Sequence, residues 1–174
     1  MRRAVALALT FLLAACGGSV AGPAEWTETE MSFDLGGSTA EPVPVDRVLP
    51  DGRYWATVHE VLGSDGIVFD VTRAYFGTAC EEWAAGRGME EGCTNDYAVD
   101  AVTRQMLQVD SADRVTVADP AGPGRSYVVS LRTLTGLARH EQVQVPSGYG
   151  WADFPFVITV EDGRTVAVDQ FWVP

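Results

Sequence analysis

Lysine is absent from this chain, histidine occurs twice (His59, His140) and cysteine three times (Cys16, Cys80, Cys93). Each shortage closes off some chemistry. With 24 acids against 12 arginines the net charge is −12. So acidic a chain is a poor partner for nucleic acid, whose phosphates must be neutralised by Lys and Arg. Anionic headgroups should repel it as well. The exclusive use of arginine reads as coding bias from a GC-rich genome. Motifs are equally sparse. There is no Gly-x-Ser-x-Gly elbow, and Ser147 sits in a Pro-Ser-Gly-Tyr-Gly loop, so no serine triad announces itself. No His-x-x-x-His, Cys-x-x-Cys or Asp-x-Asp-x-Asp-Gly occurs, so neither zinc, redox nor calcium chemistry is signalled. Gly122-Pro-Gly124 precedes a strand pattern, not a helix, and offers no phosphate cradle. No cofactor and no metal are expected. Nor is there a second apolar run near the roughly 20 residues that a membrane helix requires.

What is present begins with an address. Arg2 and Arg3 precede the apolar run Ala4–Leu13, broken only by Thr10. The run is too short to span a bilayer and has the size and flanks of a signal-peptide core. Leu13-Ala14-Ala15-Cys16 follows and resembles the bacterial lipobox, in which the cysteine receives diacylglycerol before cleavage. The alternative is an ordinary secretory signal cut near Ala15, but that leaves an odd thiol in an exported chain. Lipidation at Cys16 leaves Cys80 and Cys93 to pair, as oxidising surroundings favour. Two acyl chains suffice for stable anchoring. The expectation is a membrane-held protein, lipid-anchored on the extracytoplasmic face.

Residues 1–15 thus read as a signal peptide and 16–45 as a lipidated, flexible tether rich in Gly, Pro and acids. Trp26, Met31 and Phe33 interrupt the tether and could make a short strand or docking motif. A single globular domain is expected over 46–174. Arg53–Leu62 and Ile67–Val71 flank Gly63-Ser-Asp-Gly66 as a hairpin. Thr78 with Glu81 suggests a capping box opening a short helix to about Ala85. Strand patterns recur at Tyr97–Val102, Met106–Val109, Val115–Ala118 and Ser126–Leu131. Leu131–Arg139 reads as a helix weakened by Gly136. Phe156–Glu161 and Arg164–Trp172 flank Asp162-Gly163, a strong hairpin cue. Alternation sets Val166, Val168 and Gln170 against Thr165, Ala167, Asp169 and Phe171. The reading is a mainly-β or α+β fold: a small curled sheet or barrel of about six to seven strands with one or two short helices. Pairing of the two hairpins would close the sheet.

A spaced pattern runs through this domain. Gly52, Arg53 and Tyr54 open a strand, Phe69-Asp70 end the next, and Asn95, Asp96 and Tyr97 precede a third. Arg104 follows, and Pro155-Phe-Val-Ile-Thr-Val160 with Asp162-Gly-Arg164 leads to a last aromatic and Pro174. Over roughly Arg53 to Pro174 this resembles a group of uncharacterised exported proteins of actinobacteria. Its members typically carry a longer helix before Asn-Asp-Tyr, and the cysteine pair is not part of the pattern. The resemblance implies envelope localisation and transfers no function.

Candidate site residues are few. His59 falls mid-strand and by alternation shares a face with Trp55, Thr57 and Val61; His140, beside Arg139 and Glu141, reads as surface. Asp70 and Asp96 are the carboxylates placed to serve a glycosidase, though Asp at element edges more often caps turns. Asn95, Asp96 and Tyr97, from the same pattern, are candidate binding residues, as is Asp70. Tyr149, Trp151 and Phe154 stand close together on a loop. Exposed, they would form a binding surface; otherwise they plug the core. The functional expectation is a lipid-anchored envelope protein that binds a small ligand or another envelope protein without catalysis. The alternatives are a carboxylate-dependent hydrolase of cell-wall polymer and a purely structural role.

Overall fold

A computed structural model describes residues 25–31, 40, 42, 48–93, 97–100 and 105–173. The expectations for Cys16 and the segment before it, and for Asn95, Asp96 and Arg104, lie outside these residues. The fold is mainly β with two short helices. Its strands are β1 (Thr27–Glu30), β2 (Gly52–Leu62), β3 (Gly66–Phe76), β4 (Tyr97–Asp100), β5 (Met106–Val109), β6 (Arg114–Ala118), β7 (Arg125–Val128), β8 (Phe156–Glu161) and β9 (Arg164–Gln170). The helices are α1 (Thr78–Gly86) and α2 (Leu131–Ala138). The sheet runs β1-β7-β6-β9-β8-β2-β3-β4, with β5 also on β3.

The two expected hairpins form, and they pair with each other through β2 and β8, from Gly52↔Val160 to Ala56↔Phe156. That pairing lies mid-sheet and does not close it. β9 continues the sheet by a parallel pairing with β6, and the ends at β1 and β4 stay apart in the strand order. The barrel alternative is therefore replaced by an open sheet. β3 is longer than its apolar run suggested because two partners divide its far edge. Ile67–Asp70 pair with β5, and Arg73–Phe76 pair with β4. Asp70 consequently lies inside a strand and does not end one.

Two bulges override simple alternation. In β2, Val58 pairs with Phe69 and Glu60 with Val68, so His59 is the extra residue. The inserted residue moves Val61 onto the side of Val58, and both pack on the main core instead of sharing the face of Trp55. In β9, Ala167 pairs with Thr159 and Thr165 with Val160, which displaces Val166. Beyond it the expected alternation holds. Val168 enters the main core, while Phe171 joins Trp55 and Val157 in a second cluster.

The main core fills the space between sheet and α2. Ile67, Phe69, Val117, Phe156 and Ile158 meet Leu134 and Leu137 there, all buried. Ser130 caps α2 by accepting from Thr133 N–H at 3.1 Å. The helix ends in a Schellman motif: His140 N–H donates to Leu137 O and Glu141 N–H to Gly136 O, with His140 left-handed at φ 56°. Gly136 weakens helix propensity for a reason that packing supplies. A Cβ there would stand 2.8 Å from Cγ2 of Val143. Gly136→Ala should therefore lower stability, although the helical gain alone is worth about 1 kcal/mol. The overpacking it forces typically costs about 1–3 kcal/mol, so urea midpoints should fall; a rise would mean that Val143 yields freely.

α1 departs from the expected capping box. Gly77, at φ 51°, occupies the N-cap position and no side chain caps the helix, so Thr78 already lies within the first turn. The Cys80–Cys93 disulfide is present, with Cα atoms 5.8 Å apart across a sequence separation of 13.

The sheet also begins earlier than Asp46. Thr27–Glu30 pair with Arg125–Val128 at one sheet edge, so this part of the expected tether is a strand. Trp26 explains the attachment. Its ring makes edge contacts with Tyr127 and Tyr149, at centroid distances of 5.8 and 5.0 Å. Glu25 adds a second grip by accepting from the Thr133 hydroxyl and from the hydroxyl and N–H of Ser130. The Thr133 bond, helped by both Ser130 bonds and opposed by partial burial, holds the Glu25 carboxyl below its ordinary value of 4.5. A depressed folded-state value means that the contribution is present above that ordinary value and is lost as the pH falls through the folded one. Amide protection at Trp26, whose N–H donates to Val128 O at 2.8 Å, should thus decline with acid below about pH 4.5 in the native chain. Glu25→Gln should remove that step. An identical acid profile in both proteins would exclude this carboxylate as the cause.

Candidate functional site

His59, the residue inserted in β2, lines a groove of about 340 Å³ that His140, just past the end of α2, also lines. The two histidines of the chain, far apart in sequence, line the same hollow. Thr57 and Ala138 complete its walls, and Trp151, Asp153 and Phe154 enter from the loop before β8. Pro155 is buried and Phe156 starts β8, so the loop is held at its end by the core while Asp153 stays exposed.

The polar groups are oriented by their own partners. His59 Nδ1 lies 3.0 Å from Asp70 Oδ2, within hydrogen-bond distance. In the neutral ring, an Nδ1–H facing that carboxylate leaves Nε2 as an acceptor. The indole N–H of Trp151 donates to Asp153 Oδ1 at 2.7 Å, which ties ring and carboxylate into one unit. Phe154 rests on Trp172, with ring centroids 6.2 Å apart. Arg139 does not add charge to the groove: it donates to the carbonyls of Val61 and Gly63 and pairs with Glu141.

The sequence candidates separate on this geometry. Trp151 and Phe154 line the groove, and Asp70 supports it through His59. Asp70 caps no turn, because β3 runs past it to Phe76. Tyr97 opens β4 and lines a second groove of about 380 Å³. Tyr149 turns the other way, into edge contacts with Trp26 and Tyr127. Burial, with Asp119 and Tyr127 adding to it, raises its phenol well above the ordinary value. It is half-buried against the main core and lines neither this groove nor the second. Thr57 and Asp153 are groove residues that pattern reading passes over, and His59 and His140, which it places mid-strand and at the surface, line the groove as well. The one available signal was the scarcity of histidine; the approach of the end of α2 to β2 leaves no mark in the sequence.

The larger hollows, of about 510 and 590 Å³, flank β1. Glu25, which lines the first, is already committed to the start of α2. Nor do buried carboxylates elsewhere face solvent chemistry. Asp169 accepts from Arg114 Nε at 3.1 Å and from the Thr116 hydroxyl at 2.8 Å, and Asp119 accepts from Arg125 Nε at 2.7 Å. Among the described residues, no three His, Cys, Asp or Glu side chains are grouped so as to hold a metal ion. No described helix is long and apolar enough to cross a membrane. No protein-family model, curated protein or solved structure matches the chain.

Proposed function

We propose that the protein is a lipid-anchored binding module of the cell envelope, which holds a ligand without catalysis in the groove between His59, His140 and Trp151. The observation that carries this reading is the convergence of two distant histidines with a Trp–Asp pair and Phe154 on one open hollow. Binding sites combine apolar and aromatic walls with a few placed polar groups, and this groove has that composition. Its lining includes neither serine nor cysteine, and its one hydroxyl is that of Thr57. The His59–Asp70 pair could orient a base, but the lining offers it no strong nucleophile to activate. The lipobox supplies the location: Cys16 carries the lipid, and the chain between it and β1 spaces the domain from the bilayer.

Mass spectrometry of the protein gently extracted from its own membrane tests both halves of the proposal. The denatured chain should carry a diacylglyceryl adduct at Cys16; a bare or uncleaved N-terminus would overturn the anchor. Under native conditions an additional bound mass should appear in the wild type and be lost in Trp151→Ala. A bound species indifferent to Trp151→Ala and to Asp153→Ala would place binding elsewhere. Turnover of that species by the wild type would replace binding with catalysis.

A further inference from the structure

The groove does not end at its histidines. A second groove, of about 380 Å³, is lined by Trp83, Met89, Cys93 and Tyr97, and it shares Thr57 and Asp153 with the first. The two grooves therefore lie side by side at Thr57 and Asp153, neither is enclosed, and their outer residues reach the end of α2 on one side and the turn after α1 on the other. From this adjacency, and resting on the binding reading above, we infer that the ligand is an extended, uncharged oligosaccharide.

The chemistry of the lining selects this class. Polyanions are disfavoured because lysine is absent from the chain and no arginine lines either half. The guanidinium of Arg87 lies 4.4 Å from the centre of the Trp83 ring and is paired with Asp100, so it is committed beside the groove. The oriented polar atoms are mostly acceptors: Nε2 of His59, once Nδ1–H faces Asp70, and the Asp153 carboxylate. A ligand rich in hydroxyl donors matches them. A peptide backbone offers donors and acceptors equally and binds best along a sheet edge; only the far half touches an edge strand, at Tyr97, Ala98 and Val99 of β4, while the near half is lined from β2, the end of α2 and the loop before β8. The Trp151, Phe154 and Tyr97 rings add apolar surface along the run, against which the C–H faces of sugar rings pack. Asp153 sits where the halves meet and, tied to Trp151, is held to bridge successive sugar hydroxyls.

Titration calorimetry on the folded, disulfide-intact chain tests the inference. The probes are neutral hexasaccharides of glucose, mannose, galactose, xylose and N-acetylglucosamine, their disaccharides, a hexagalacturonate and a proline-rich decapeptide. At least one neutral hexasaccharide should bind about tenfold more tightly than its disaccharide, the factor that about 1.4 kcal/mol of added contact gives. Trp151→Ala should weaken both lengths about tenfold. Met89→Arg, at a side chain 44% exposed in the far half, should weaken only the hexasaccharide, and thermal melts should show both variants folded. Binding of the decapeptide or the hexagalacturonate alone, still sensitive to Trp151→Ala, would overturn the oligosaccharide while leaving the binding site standing. Silence from every probe, in a protein that also carries no bound mass from its membrane, would overturn both. Hexasaccharide binding untouched by either substitution would remove it from this groove.

Discussion

Phe69→Ala should lower the free energy of unfolding by about 3–5 kcal/mol, the usual range for a fully buried phenylalanine. The ring is inaccessible to solvent and meets Phe156 edge-on at 5.2 Å between centroids. Its strand is held on both sides, by β2 through Val58↔Phe69 and by β5 through Phe69↔Leu107. Collapse of the surroundings into the vacated space would therefore have to distort two ladders, which places the loss toward the upper part of the range. Urea unfolding followed by far-ultraviolet circular dichroism measures it. Val48→Ala is the control: that side chain is 84% exposed, and surface changes of this kind stay within about 0.5 kcal/mol. Equal effects of the two substitutions would mean that β3 is not the centre of the core.

Replacing both Cys80 and Cys93 with serine should cost about 3 kcal/mol, the value that the chain-entropy account gives for a closed loop of this size. A second effect should accompany the first. Cys80 is buried in α1, and Cys93 follows a turn in which Gly92 adopts φ 67°. The loop so closed carries Met89, Gly92 and Cys93 to the far half of the groove. Without the bond, binding of a long ligand should weaken while a short ligand at Trp151 is retained. Calorimetry on the native protein before and after mild reduction, with unfolding curves for each, separates these effects. Unchanged stability with unchanged long-ligand binding would show that the turn is ordered without the disulfide.

Much of the architecture was legible because it is written locally. Asp162-Gly163 between two β-patterned runs specifies the β8–β9 hairpin, and Gly63 to Gly66 does the same between β2 and β3. Leu131, Leu134 and Ala138 mark α2 despite Gly136, and the spacing of the last two cysteines foretold their bond. The misreadings have physical causes. Thr78 and Glu81 satisfy a capping pattern, yet Gly77 reaches the capping geometry one residue earlier. The segment at Trp26 looks like a tether because its neighbours are polar. Its stability as a strand comes from Tyr127, Tyr149, Ser130 and Thr133, all roughly a hundred residues away.

By itself, then, the sequence determined most strand and helix segments, the disulfide partners and the acidic, lysine-free character that narrows the ligand. These depend on short-range spacing and on composition, and no long-range contact is needed to read them. The tertiary structure alone decided that the two hairpins meet in the middle of an open sheet, that Tyr149 packs on Trp26 and Tyr127 while Trp151 lines the groove, and that His59 and His140 line the same hollow. Those outcomes rest on contacts between segments some 80 to 120 residues apart, and the place of Val61 in the core rests on one inserted residue in β2. No local rule records a bulge that exists only relative to a partner strand. A site assembled in this way becomes visible only once the strands are paired.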